Sequence, residues 1–215
     1  QKKYKRFINL SDLSYVFGWY IAEGCSSDKS RVNITVNIKE KDVVIKWLED
    51  IKEIFGAVGS YTEYPTKIQA RVSSTLLSKF FSFYCGEKAD QKKIPYELLF
   101  GDVENLRIVI DEYAKSNGHI TDRNISCSTI SKELARQLVL ANQRLGRKAS
   151  IRKSVRRENK REDFVIWWSR ENENYRHSNY SWFINQGLAI LVKDVKNIFY
   201  DGPVYNFEVE EDESY

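Results

Sequence analysis

The chain has 215 residues, 42% hydrophobic and 30% charged, a composition that excludes a disordered segment and allows one large domain or two small ones. No apolar run approaches the roughly 20 residues that span a bilayer, and the basic start at residues 1–7 precedes no apolar signal core. Three scattered cysteines (Cys25, Cys85, Cys127) exclude a disulfide or zinc framework, so an intracellular, cytoplasmic protein is expected.

Residues 1–12 read as a basic lead-in. Ser11 or Asp12 is expected to cap a helix over LSYVFGWYIAEG (13–24), with Gly24 as its stop. Residues 31–37 (RVNITVN) alternate as a strand. Val43, Val44, Trp47, Leu48, Ile51, Ile54 and Phe55 then recur with the 3.6-residue period of a helix over 40–55, closed by Gly56. Strands are expected around 58–64 and 67–73 and a helix over 75–84. Residues 87–103, polar and carrying Pro95, read as a linker.

The second half repeats this order. A helix is expected over 104–116, a strand over 124–129 (NISCST), and a helix capped by Ser131 with Glu133 in its first turn. Strands at 149–156 and 163–169 follow, then a final helix over 181–196. The tail from 198 carries an Asp-Gly-Pro turn and an alternating segment at 204–209. The shared order implies an internal duplication of about 90 residues, 13–86 and 104–197.

Charge is uneven. The formal net charge is +4 and the pI about 8.8, yet residues 147–161 hold eight Lys or Arg against one Glu, while 208–213 (EVEEDE) is acidic. Such a basic run is either a solvated face or a nucleic-acid face. The absence of methionine is expected of a chain processed or cut from the middle of a longer polypeptide.

Each half opens with a helix ending in a small residue, a polar residue and Gly: Ala22-Glu23-Gly24 and Ser116-Asn117-Gly118. If the two helices pair about a pseudo-twofold axis, Gly18, Ala22 and Ser116 allow close approach, and residues 23 and 117 fall side by side. Two carboxylates so placed would hold hard divalent cations, and cations there would clamp phosphate oxygens and acidify a bound water.

Residues 13–24 resemble the first motif of LAGLIDADG homing endonucleases, especially of the intein-associated type, and 108–120 (IVIDEYAKSNGHI) resemble the second. Lys92-Lys93-Ile94-Pro95 is similar to the lysine-bearing segment of such enzymes, and residues 202–215 to an intein C-terminal block. The resemblance implies an α+β fold of two αββαββα repeats, whose saddle-shaped antiparallel sheets lie in the DNA major groove, plus a short intein-like C-terminal strand. It implies Mg2+ or Mn2+ as cofactor, double-stranded DNA as partner, and a monomer with internal symmetry. Its metal site falls on Glu23 and Asn117 with the carbonyls of Ala22 and Ser116, and its catalytic lysine on Lys93. Its DNA-binding positions are Arg31, Asn33, Thr35 and Asn37, with Lys67 and Arg71, and Arg152, Lys153, Arg156, Arg157, Lys160 and Arg161 in the second half.

The departure is Asn117, where the family carries an acid. An amide is neutral and a weaker ligand for Mg2+ than a carboxylate. The second centre has decayed, the residue is an engineered change, or Asp111 or Glu112 supplies the acid instead. Glu112 also stands where the family packs a Gly, and Lys115 where a second acid is frequent. The expected function is thus a site-specific DNA endonuclease weakened or inactivated at its second acidic position. The alternative is a cleavage-deficient DNA-binding protein or RNA maturase of the same fold.

Overall fold

The computed structural model describes residues 7–26, 29–155, 162–170, 181–184, 187–190, 192, 194–197 and 199–203. The chain divides into two compact units, residues 1–174 and 175–215. Within the first, two four-stranded antiparallel sheets are built on the same plan. In one, helix α1 (Leu10–Glu23) leads into β1 (Gly24–Cys25), β2 (Arg31–Asn37), α2 (Lys41–Phe55), β3 (Ser60–Glu63), β4 (Lys67–Ser73) and α3 (Thr75–Cys85). After a short α4 (Tyr96–Leu99), the other runs α5 (Val103–Asn117), β5 (Gly118–Ile120), β6 (Asn124–Thr129), α6 (Lys132–Arg144), β7 (Ala149–Val155) and β8 (Glu162–Ser169). Strand orders are β1-β2-β4-β3 and β5-β6-β8-β7, so the duplicated order of the sequence is a duplicated topology. This is the α+β two-repeat architecture expected.

The local chemistry is that of the sequence signals. Val32, Ile34 and Val36 are buried on one side of β2 while Arg31 and Asn37 are exposed on the other, the period-two pattern of a sheet with one wet face. Gly56 adopts φ 63 at the end of α2, a left-handed turn that suits glycine. Ser131 caps α6, its hydroxyl accepting from Leu134 N at 3.1 Å, and Ser74 does the same for α3 from Leu77 N at 3.3 Å.

The two halves share one core. Helix α1 buries Leu13, Ser14 and every residue from Val16 to Ile21, because it is enclosed by α5, α2, α3 and the first sheet. Phe17 and Tyr20 meet Phe80 and Phe81 of α3, with Tyr20 and Phe81 centroids 4.5 Å apart. Trp47 of α2 donates to Val16 O at 3.3 Å. Buried apolar residues continue through α5, α6 and β8 to Trp168 in a single cluster.

Several expectations need correction. Helix α1 begins at Leu10 with Asn9 before it and no side-chain cap; Ser11 and Asp12 lie inside its first turn. Gly24 takes an extended conformation at φ −86 and runs directly into β1. What it supplies is room: a Cβ there would lie 2.2 Å from the Tyr20 ring. Residues 87–103 join the two repeats and are tied down along the way. Ser131 Oγ donates to Lys92 O at 2.6 Å, and the Gln137 amide meets the backbone of Ile94 at 2.6 and 3.1 Å. Arg144 holds the carbonyls of Leu99 and Gly101. This segment straps α6 to the rest because buried backbone polar groups need partners. The helix expected over 181–196 is instead a hairpin of β9 (Ser181–Ile184) and β10 (Gly187–Ile190). Trp, Phe and Ile favour strands, and the apolar run was too short to separate the two periods. The tail segment 204–215 lies outside the described residues.

At Gly18, α1 packs tightly against α5: a Cβ there would sit 2.7 Å from Glu112 Cβ and 3.0 Å from Val109 O. Gly18→Ala should destabilise by about 1–3 kcal/mol, the usual cost of overpacking, and the penalty should shrink in a Glu112→Gly background. A double-mutant cycle by urea unfolding reads both.

Candidate nuclease centre and nucleic-acid face

Pairing α1 with α5 brings their C-terminal ends together, and with them the two motif positions. Glu23 is half-buried, and Ser116 Oγ donates to its Oε1 at 2.8 Å. In the reciprocal contact, Asn117 Nδ2 donates to Ala22 O at 3.3 Å. Each helix end thus touches the residues the sequence assigned to the centre on the other: 23 with 116, 117 with 22. Burial raises the Glu23 pKa above its ordinary value, the Ser116 hydrogen bond lowers it, and Glu40 raises it further.

Glu23 and the Ala22 carbonyl are hard oxygen donors, the kind that suits a divalent Mg2+-like ion. Asn117 is not equivalent. Its amide N–H turns toward the Ala22 carbonyl, an oxygen that a carboxylate at 117 could approach only with a cation between them. The residues therefore fit one hard cation on the Glu23 side and do not fit a carboxylate pair. Among the described residues there is no group of three or more His, Cys, Asp or Glu placed to hold a metal. Asp111 and Glu112, the acids of α5 nearest the missing one, are engaged elsewhere. Asp111 is ion-paired with Arg147 at 3.0 Å, and Glu112 accepts from Trp19 Nε1 at 2.9 Å and Lys115 Nζ at 2.6 Å.

A cavity of about 260 Å3 opens beside these helix ends, lined by Ala22, Gly24, Asn117, Asp163 and Lys92. The lysine lining it is Lys92. Lys93, the sequence's choice, lies with its ammonium 5.9 Å from the Phe83 ring centroid. Lys92 is 4% exposed; its Nζ donates to Tyr20 O at 3.0 Å and stands 3.6 Å from the Tyr20 ring centroid. It caps the carbonyl end of α1, where a cation is favoured, but burial still lowers its pKa to about 8. Adjacent lysines in one loop carry no periodicity that separates inward from outward, so this choice was invisible in the sequence.

The first sheet presents the expected face. Asn33 pairs with Arg71, Thr35 with Gln69 and Asn37 with Lys67, and paired residues share a face. Arg31, Asn33, Thr35, Lys67 and Arg71 are therefore brought together, joined by Gln69, which the sequence reading missed and whose amide donates to Thr35 Oγ1 at 3.2 Å. Asn37, on the same face, also has a structural duty: its side chain accepts from Lys39 N at 3.0 Å and its N–H donates to Glu40 at 2.9 Å, a capping box. In the second sheet Arg152 pairs with Val165 on the outer face. Lys153 faces the other way and is ion-paired with Glu162 at 2.5 Å. Arg156, Arg157, Lys160 and Arg161 lie outside the described residues.

Residues 104–178 match the LAGLIDADG-like domain family. The structure is similar to that of I-DmoI in complex with DNA and Mn, with a TM-score of 0.56 and 18% identity over 75% of this chain and 91% of that one. It also resembles the N-terminal LAGLIDADG domain of DUF199/WhiA, with a TM-score of 0.50 and 11% identity over 75% and 78%. The chain has the LAGLIDADG fold. Among curated proteins it is 25% identical over 227 residues to the ATP-dependent DNA helicase Hel308 of Thermococcus kodakarensis, covering 93% of this chain and 20% of the helicase. The chain spans a fifth to about a quarter of the curated relatives it matches along most of its length. In this fold α1 and α5 pair, and each runs directly into a strand of its own sheet, β1 or β5. Among the described residues, no helix is long and apolar enough to cross a membrane.

Lys92 gives a pH test. A lysine depressed to about 8 in the folded chain and ordinary at 10.5 unfolded binds more protons unfolded between those values, so folding stability rises with pH across that window. Relative to Lys92→Met, the unmodified chain should gain unfolding free energy from pH 8 to about 10, read by urea titration. A difference that stays flat with pH would refute the buried ammonium.

Proposed function

We propose that the protein is a site-specific DNA-binding endonuclease of the homing type, working with one acidic half-centre, Glu23, and cutting at most one strand efficiently. The observation that carries this reading is the seam itself: Glu23, oriented by Ser116 from the opposing helix, at the base of a sheet whose outer face carries Arg31, Lys67 and Arg71. Cations on that face would neutralise phosphates and supply affinity; the amide and guanidinium groups between them would read base edges. The likeness to a structure of I-DmoI with DNA and Mn supports the same partner and metal class.

A divalent ion, Mg2+ or Mn2+, would be held by Glu23, and bound there would stabilise phosphate charge and lower the pKa of water. Ser116 keeps the carboxylate pointed to that position. Lys92 holds a positive charge against the cavity wall at neutral pH. Because both motif helices belong to one chain, a monomer suffices. The alignment of nearly the whole chain within a fifth of a helicase supports an origin as an intein-type element carried inside a host protein.

A second reading, DNA binding without cleavage, is favoured by the Asn117–Ala22 contact, which satisfies that carbonyl without any ion. Supercoiled plasmid carrying the cognate site separates the two. With Mg2+, the chain should give nicked circles slowly, Asn117→Asp should add linear product, and Glu23→Gln should abolish both. Tight binding with no cutting by any of the three would leave the binding-only reading in its place.

A further inference from the structure

We propose that the two sheets read DNA by different chemistry: the first by hydrogen bonds to purine edges, the second by apolar contact of Val165 and Trp167 with thymine methyl groups. This rests on the DNA-binding reading above and goes further, to the composition of the target.

The inference comes from register. Gly24 pairs with Ile34, and Gly118 with Cys127, so each sheet is anchored at the residue after its motif helix. Counting from those anchors, Asn33 corresponds to Ser126, and Thr35 to Ser128. Asn33 pairs with Arg71 where Ser126 pairs with Trp167; Thr35 pairs with Gln69 where Ser128 pairs with Val165. One further step along the strand sets Lys67 against Asp163. The outer row of the central strand β4 is thus cation, amide, cation, and that of β8 is acid, aliphatic, aromatic.

These substitutions are not core residues in disguise. Phe164, Ile166 and Trp168 form the buried side of β8, and Val165 and Trp167 stand on the opposite side, half-buried. Across from them are the short side chains Ser126, Ser128 and Ser150, while Asp163 and Ser169, the next residues on the same side of β8, are buried. Arg152, beside Val165, keeps one cation for a phosphate.

Major-groove chemistry turns this contrast into a base preference. Guanine offers N7 and O6 to an arginine fork, adenine offers N7 and N6 to an amide, and thymine alone offers a methyl group. A face of Lys67, Gln69 and Arg71 selects the first two. A face of Val165 and Trp167 selects the third, and discourages close approach of unmatched polar edges, which it would desolvate without compensation. The target should therefore be asymmetric, with contacted purines in one half and contacted thymines on the other.

The test starts from a duplex enriched out of a randomised double-stranded DNA library by binding to the chain in EDTA, at one fixed salt concentration. Uracil then replaces thymine, and 7-deazaguanine replaces guanine, in one half of the duplex at a time, with affinity read by fluorescence anisotropy. Uracil should weaken binding in one half only, by about fourfold per contacted methyl. 7-Deazaguanine should weaken it in the other half, on the order of tenfold per contacted guanine. Replacing both Val165 and Trp167 by Ala should erase the uracil effect and keep the 7-deazaguanine effect, which also shows that the variant folds; Arg71→Ala should do the reverse. Equal sensitivity of both halves, or none to uracil, overturns the proposal on the unmodified chain alone. If no duplex is enriched at all, the DNA-binding reading itself fails, a result distinct from an enriched duplex read alike by both sheets.

Discussion

The approach of α1 to α5 at Gly18 sets the geometry on which the rest depends. Helices that cross at a glycine come close enough for each C-terminal end to reach the other's side chains, and the 2.7 Å that would separate a Cβ on Gly18 from that of Glu112 leaves no slack. From that contact follow the Ser116–Glu23 and Asn117–Ala22 hydrogen bonds, and the placing of one sheet on each side of the seam. The seam is not symmetric in chemistry. Gly18 gives way on one helix, whereas on the other Glu112 fills the crossing and ties itself to Trp19 and Lys115.

That asymmetry runs through the whole second half. Its centre carries an amide where the first carries a carboxylate, its central strand replaces cations with Asp163 and Trp167, and α5 sets Asp111 beside Arg147 six residues before its motif residue, where α1 sets Phe17 among the aromatics of α3. Topology was kept while chemistry diverged, because the fold depends on the inward residues of each strand and the outward ones are free to specialise. An enzyme that needs two equal carboxylates would lose function by such drift; one that binds DNA and uses a single acidic centre would not.

The local elements were legible in the chain. Residues 31–37 and 40–55 declare their periods, 124–129 reads as a strand, and Ser131 and Gly56 mark ends, because side-chain periodicity and cap chemistry act over a few residues. So was the motif pair that heads each half. The 181–190 hairpin was misread, since a short run of Trp, Phe, Ile, Leu and Ala has no period long enough to separate strand from helix. Residues 87–103 read as a linker, and their polar composition hides Ile94, Leu98 and Leu99, all buried.

What the sequence determined by itself was the repeat, the strand faces and Glu23 with its small neighbours, all properties carried by spacing along one element. What only the tertiary structure decided was which partners meet: that Lys92 rather than Lys93 lines the cavity, that Gln69 joins Thr35, and that Trp167 occupies the place of Arg71. Each of these is a contact between segments tens of residues apart or a choice between adjacent side chains in a loop. Register and packing settle such choices through burial and hydrogen-bond satisfaction, and neither leaves a trace in local pattern.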